Sequence, residues 1–148
     1  MGSIRVAAVD LGASSGRIIQ VGFDGSHLGM DEIHRFPNVP VSVRSSLHWL
    51  WHEIQTGLRS IASDTRSIGV DSWGVDFALL DKNGQLLANP IHYRDSSSES
   101  GYAHLNEVMP RREIFERTGI QFMPTNGVNR MISLISSGSP LFDAADTM

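Results

Sequence analysis

At 148 residues the chain is long enough to bury one hydrophobic core, and a single domain is the default expectation. A net charge of -4 with no basic stripe excludes a phosphate-neutralising nucleic-acid face, and the absence of cysteine excludes disulfide and thiol chemistry. No apolar stretch approaches membrane-spanning length and the start lacks the build of a secretory signal, so neither nucleic acid nor membrane is an expected partner and the expected address is cytoplasmic.

Residues 6–9 are a continuous apolar run, which predicts a strand buried on both faces with Asp10 at the point where it emerges. Small residues come next, from Gly12 to Gly16. The two glycines predict backbone angles closed to other residues, which would turn the intervening amides inward around an anion, with Ser14 and Ser15 adding hydroxyl donors. An ordinary hairpin turn is the plainer reading of the same residues. Neither Gly-Lys-Ser nor Gly-Lys-Thr occurs, and the residues after Gly16 do not have the spacing of a helix. In residues 17–23, Ile19, Val21 and Phe23 alternate with Gln20 and Gly22 up to the turn Asp24-Gly25-Ser26, so a bound phosphate would sit between antiparallel strands.

A third strand is expected over 28–36, closed by Pro37 and Pro40. Leu50, Ile54, Leu58 and Ile61 share one helical face and predict a helix over 50–62 that covers the sheet. A short strand over 67–71 can then pair parallel to the first, bringing Asp71 beside Asp10. Residues 75–80 and 85–88 flank Asp81-Lys82-Asn83-Gly84 and predict a second hairpin. Helices are expected over 98–109, over 110–118 with Gly119 as its stop, and over 126–135. No closing element is expected before Met148, which suggests a piece of a longer protein.

Asp71-Ser72-Trp73-Gly74-Val75-Asp76-Phe77 gathers an aromatic, two carboxylates and a glycine. Sugars are bound by such mixtures, but Trp73 in the core with both aspartates capping turns explains the segment equally well. Tyr93-Arg94-Asp95 reads as a second wall of that pocket or as a surface ion pair. His48 and His52 have the spacing of a zinc pair but no third ligand, and His48 is expected to precede the helix.

Together these residues resemble the FGGY carbohydrate kinases, and within them the rhamnulokinase branch. The resemblance is carried by Val9-Asp10-Leu11-Gly12-Ala13-Ser14-Ser15-Gly16-Arg17, by residues 67–77, by Tyr93-Arg94-Asp95-Ser96, and by Arg117-Thr118-Gly119-Ile120-Gln121-Phe122. It implies an α/β fold: a ribonuclease-H-like, actin-like ATPase lobe whose mixed sheet has three antiparallel strands plus parallel strands, with flanking helices. Residues 1–148 would be the N-terminal lobe, with the C-terminal lobe absent.

The implied reaction is transfer of the ATP γ-phosphoryl group to the 1-hydroxyl of L-rhamnulose. By the same resemblance, ATP phosphates lie against Ala13, Ser14, Ser15, Gly16 and Arg17, Mg2+ is associated with Asp10, and the ketose meets Gly74, with Trp73 and Asp76 as neighbours. The general base, an aspartate in a His-Asp-Thr segment, is expected beyond Met148, so no catalytic base is assigned in this chain and the chain alone should not turn over. Two stretches depart from the family pattern: Ser97 and Ser98 stand where Arg-Thr is usual, and Met123-Pro124-Thr125-Asn126-Gly127 lacks the aromatic after its proline. Two rivals remain, a two-metal nuclease built on Asp10, Asp71 and Asp76, and a non-catalytic actin-like nucleotide module or inert fragment.

Overall fold

Alternating apolar residues carry the first three strands, β1 (Ile4–Leu11), β2 (Ser15–Phe23) and β3 (Leu28–Pro37), joined by short turns. In the computed structural model, which describes residues 4–38 and 47–148, these strands form an antiparallel meander. The first turn is only Gly12-Ala13-Ser14. The second is set by Gly25 at φ 105° and by the Asp24 carboxylate, which accepts the amides of Ser26 and His27 at 2.8 Å each. The expected closure at Pro40 lies outside the described residues, whereas Pro37 does end β3.

Helix α1 (Leu47–Leu58) leads to β4 (Ile68–Ser72), which pairs parallel to β1, giving the strand order β3-β2-β1-β4. The mixed sheet of three antiparallel strands and a parallel addition is as expected. Its burial differs from expectation, because only one face of β1 is buried: Ala7 and Val9 are 1 % exposed, whereas Val6 and Ala8 are half-buried. The buried face continues through Ile18, Gln20 and Phe36 and lies under α1.

Helix α1 also sits differently on the sheet. Its buried residues are Leu50, Glu53 and Gly57, so the stripe is rotated away from Ile54 and Leu58, which are half-buried. Two contacts explain the rotation. Glu53 reaches His34 on β3 at 2.7 Å, and a Cβ at Gly57 would stand 2.2 Å from Ile18 Cγ1, so the helix backbone lies directly on the sheet. The helix ends before the expected residue 62, because Gln20 Oε1 accepts the Ala62 amide at 2.8 Å while Gln20 Nε2 donates to the Val6 carbonyl at 3.1 Å. His48 lies within the helix rather than ahead of it, and among the described residues no three His, Asp or Glu gather as a metal group.

The described residues up to Gly74 make one compact unit, and Val75–Met148 belong to a second. The second unit does not contain the expected strand pair. Gly84 at φ 73° and the amides of Asn83 and Gln85 on the Asp81 carboxylate form the expected turn, but the flanks carry only isolated bridges from Leu80 to Leu86 and to Thr147. Across the turn the Asp81 amide donates to the Gln85 carbonyl at 2.9 Å and the Leu87 amide to the Leu79 carbonyl at 3.0 Å, but the pairing goes no further along the flanks, and Leu80 also pairs with the returning end of the chain.

Helices α2 (Ser98–Val108), α3 (Arg111–Thr118), α4 (Gly127–Ser136) and α5 (Leu141–Ala144) complete this unit. The first three fall within a residue or two of expectation. Pro110 and a left-handed Gly119 at φ 68° bracket α3 as anticipated, and α5 was not anticipated. Helices α2 and α4 meet backbone to backbone at Gly101, where a Cβ would lie 1.8 Å from the Asn129 carbonyl oxygen.

Candidate functional site

The carboxyl end of β1 brings together Asp10, Arg17 and Asp71, which the sequence singled out, and Arg35, which it did not. Asp10 is opposite Arg17 in the β1–β2 ladder, Arg17 is opposite Arg35 in the β2–β3 ladder, and Asp10 is beside Asp71 in the β1–β4 ladder. Because paired residues share a face, these four side chains line one face of the sheet, opposite the one that α1 covers. Arg17 Nη2 donates to Asp10 Oδ2 in an ion pair that is about one third exposed. Arg35 binds Glu32 through two hydrogen bonds, which hold the Glu32 carboxyl below its ordinary value and raise the Arg35 guanidinium, with Asp10 adding to the latter.

The turn beside Asp10 is built to leave donors outward. Three carbonyls in and beside it are used internally: Ser15 O accepts the Gly12 amide at 3.0 Å, Ser14 O accepts the Asn38 amide at 3.0 Å, and Gly12 O accepts Asn38 Nδ2 at 2.6 Å. Among the described residues, the exposed Ala13 and Ser14 amides donate to no acceptor. Among the described residues the Ala13 carbonyl accepts no donor, so the tip presents two free amides against one free carbonyl, an excess of donors that suits an anion. Ser15 begins β2, and its Oγ accepts Arg35 Nη1 at 3.3 Å.

The glycines act differently from expectation. Neither Gly12 nor Gly16 takes a left-handed conformation. Gly16 is instead required for space, since a Cβ there would be 2.2 Å from Phe36 Cζ, and that ring is 2 % exposed beneath the turn. Asn38, 7 % exposed, is the residue that sequence reasoning missed. An asparagine directly after the strand-ending Pro37 was the available signal, but its role depends on the β3 end lying beside the first turn.

The sugar-side residues are placed less tightly. Trp73 and Gly74 close the first unit and Asp76 falls in the second, so the three do not share one compact unit. Gly74 is exposed, and a Cβ there would meet nothing within 4 Å. Trp73 and Asp76 are half-buried. In the second unit the Tyr93 ring lies tilted by 31° against His92 with centroids 4.5 Å apart, and Arg94 lies 5.3 Å over the Tyr93 ring. The Asp95 carboxylate accepts the Ser97 amide at 2.9 Å.

Arg130 is 6 % exposed. Burial pushes its guanidinium pKa down, and the Asp76 and Asp95 charges act in the opposite direction.

Residues 5–135 match the family model described as the N-terminal domain of the FGGY family of carbohydrate kinases. The chain belongs to that family. The rhamnulokinase of Pectobacterium atrosepticum is 44 % identical over 141 residues, covering 88 % of this chain and 28 % of the relative. The rhamnulokinase of Bacteroides thetaiotaomicron is 38 % identical over 146 residues, covering 94 % and 30 %. Thus the chain spans less than a third of the length of these FGGY relatives.

Among solved structures, the xylulose kinase from Bifidobacterium adolescentis superposes with a TM-score of 0.80 over 96 % of this chain and 31 % of that one, at 14 % identity. The xylulose kinase from Rhodospirillum rubrum gives 0.78 over 97 % and 32 %, at 19 % identity. The fold is therefore that of the sugar kinases with an actin-like ATPase core. Among the described residues, no helix is long and apolar enough to cross a membrane.

Proposed function

We propose that this FGGY chain is the N-terminal part of an ATP-dependent ketose kinase, in which the β1–β2 turn seats the nucleotide phosphates and L-rhamnulose is the acceptor. One observation carries the reading: the Ala13 and Ser14 amides are free donors at the tip of a turn whose Gly12, Ser14 and Ser15 carbonyls are all engaged. The rhamnulokinase relatives support the choice of ketose.

The residues present suit the two groups the reaction needs. Ala13, Ser14 and Ser15 would hold phosphate oxygens through amides and hydroxyls, and Arg17 would neutralise their charge. Asp10 would hold Mg2+ through Oδ1, because Oδ2 is taken by Arg17. When bound, the metal supplies charge neutralisation on the transferring phosphoryl group. Trp73, Gly74 and Asp76 would meet the ketose, with Asp76 accepting hydroxyl protons. The base that removes the 1-hydroxyl proton lies outside residues 1–148 in this reading.

Calorimetry of the chain with ATP and with L-rhamnulose tests the assignment. Gly74→Val leaves the fold intact, since open space surrounds that Cβ, and is expected to abolish ketose binding while ATP binding persists. Unchanged ketose affinity in this variant removes Gly74 from the sugar site. Binding of neither ligand to the unmodified chain favours the inert-fragment reading.

A further inference from the structure

We infer that α4 clamps the 92–97 turn at both ends, and that Arg130 is the positioning residue that presets the Tyr93-Arg94 edge of that turn for a small polyhydroxylated ligand. The ligand half of this inference rests on the ketose-kinase reading above, and the clamp half does not.

Both ends of the turn are held from one helix face. Arg130 Nη2 donates to the His92 carbonyl at 3.2 Å, and Ser133 Oγ, one helical turn later, donates to the Ser97 carbonyl at 2.6 Å while pairing with Ser100 Oγ at 2.9 Å. Within the turn the Asp95 amide donates to the same His92 carbonyl at 2.9 Å, and the Arg94 amide donates to His92 Nδ1 at 3.2 Å. His92 is itself 4 % exposed, so its carbonyl is fixed from two directions. Tyr93 and Arg94 ride on this frame with the guanidinium 5.3 Å over the ring, which pairs an aromatic face with a cation. Such an edge suits a polyol, whose apolar face covers a ring while its hydroxyls accept hydrogen bonds.

The chemistry of position 130 argues against a mere space-filler. Arg130 lines a small pocket of about 20 Å³ with Phe77, Leu79, Ile91 and Leu134, where an apolar side chain of similar length would pack without loss of hydration. Retaining a guanidinium there makes sense where its polar partners must be held in place. The Asp76 and Asp95 charges lie close enough to offset its own. The adjacent Asn129, fully buried, plays the parallel part for the other segment that departs from the family pattern: its Nδ2 donates to the Met123 and Pro124 carbonyls at 2.8 and 3.3 Å.

The test uses the whole chain with Arg130→Met, Arg130→Lys and Ser133→Ala, reading amide hydrogen exchange residue by residue and L-rhamnulose binding by calorimetry. Arg130→Met is expected to speed exchange at Asp95 and Ser97 by about tenfold, the worth of one hydrogen bond to a charged donor, with Leu105 in α2 unchanged. L-rhamnulose affinity falls by a similar factor, ATP binding does not move, and Arg130→Lys recovers most of both losses. Should Arg130→Met fail to fold, Ser133→Ala is expected to speed exchange at Ser97.

Wild-type exchange at these amides in Arg130→Met or in Ser133→Ala overturns the clamp, and lysine performing no better than methionine overturns the positioning role. If the unmodified chain binds no L-rhamnulose while the exchange results come out as expected, the clamp is supported and it is the ketose assignment that falls.

Discussion

Asp10 and Arg17 stand opposite one another across the β1–β2 ladder and form an ion pair one strand away from Arg35. The carboxylate that would hold a metal is therefore pre-positioned by the guanidinium that would meet a phosphate, and each is available when its partner is satisfied by ligand instead. Asp10→Asn is expected to abolish the Mg2+ dependence of ATP binding, a contribution of about tenfold for one charged ligand. Calorimetry with and without Mg2+ checks this. An Asn variant that keeps the full metal enhancement removes Asp10 from the metal site.

Asn38 ties the end of β3 to the first turn through its own amide and side chain. Asn38→Ala leaves the Gly12 carbonyl without its side-chain donor and is expected to cost about 1–2 kcal/mol, read as a lower urea midpoint with an unchanged slope. The same variant loosens the outward amides and weakens ATP binding. Equal stability and affinity would mean that the turn holds its shape without Asn38.

Gly16→Ala is expected to destabilise by about 1–3 kcal/mol, because its methyl group would overlap the Phe36 ring. Phe36→Leu in the same chain should recover part of that loss by opening space. A glycine needed for its backbone angle would show no such rescue, so thermal denaturation of the single and double variants separates the two explanations.

The meander, the parallel β4 and the placement of Asp71 beside Asp10 were legible in the sequence, because alternation and turn residues act locally. The rotation of α1 was not, because Glu53 and Gln20 are buried as hydrogen-bonded partners, Glu53 against a half-buried His34, and a hydropathy pattern assigns such residues to solvent. Similarly, the 75–88 segment has the turn of a hairpin and a single bridge across it, Leu80 to Leu86, but no strands, and Leu80 also pairs with Thr147, a contact that no local pattern encodes. At the site, Asp10 and the small-residue turn were legible, whereas Asn38 and Arg130 depend on which distant segments pack together.

The Asp81 carboxyl is held below its ordinary value of 3.8 by the Gln85 amide first and the Asn83 amide second. A depressed carboxylate stabilises the fold above the unfolded value and loses that contribution as pH falls through the folded one. Asp81→Asn is therefore expected to be less stable than the parent at neutral pH, with the difference vanishing in acid below the folded value. Urea midpoints across pH check the sign, and a difference that persists unchanged into strong acid would contradict it.

If the Ala13 and Ser14 amides form a seat for phosphate, amide NMR of the labelled chain during titration with Mg2+-ATP reads those two donors themselves. The Ala13 and Ser14 resonances are expected to move first and furthest, with the Asn38 side-chain amide following. Saturating nucleotide that leaves both resonances where they were would contradict it.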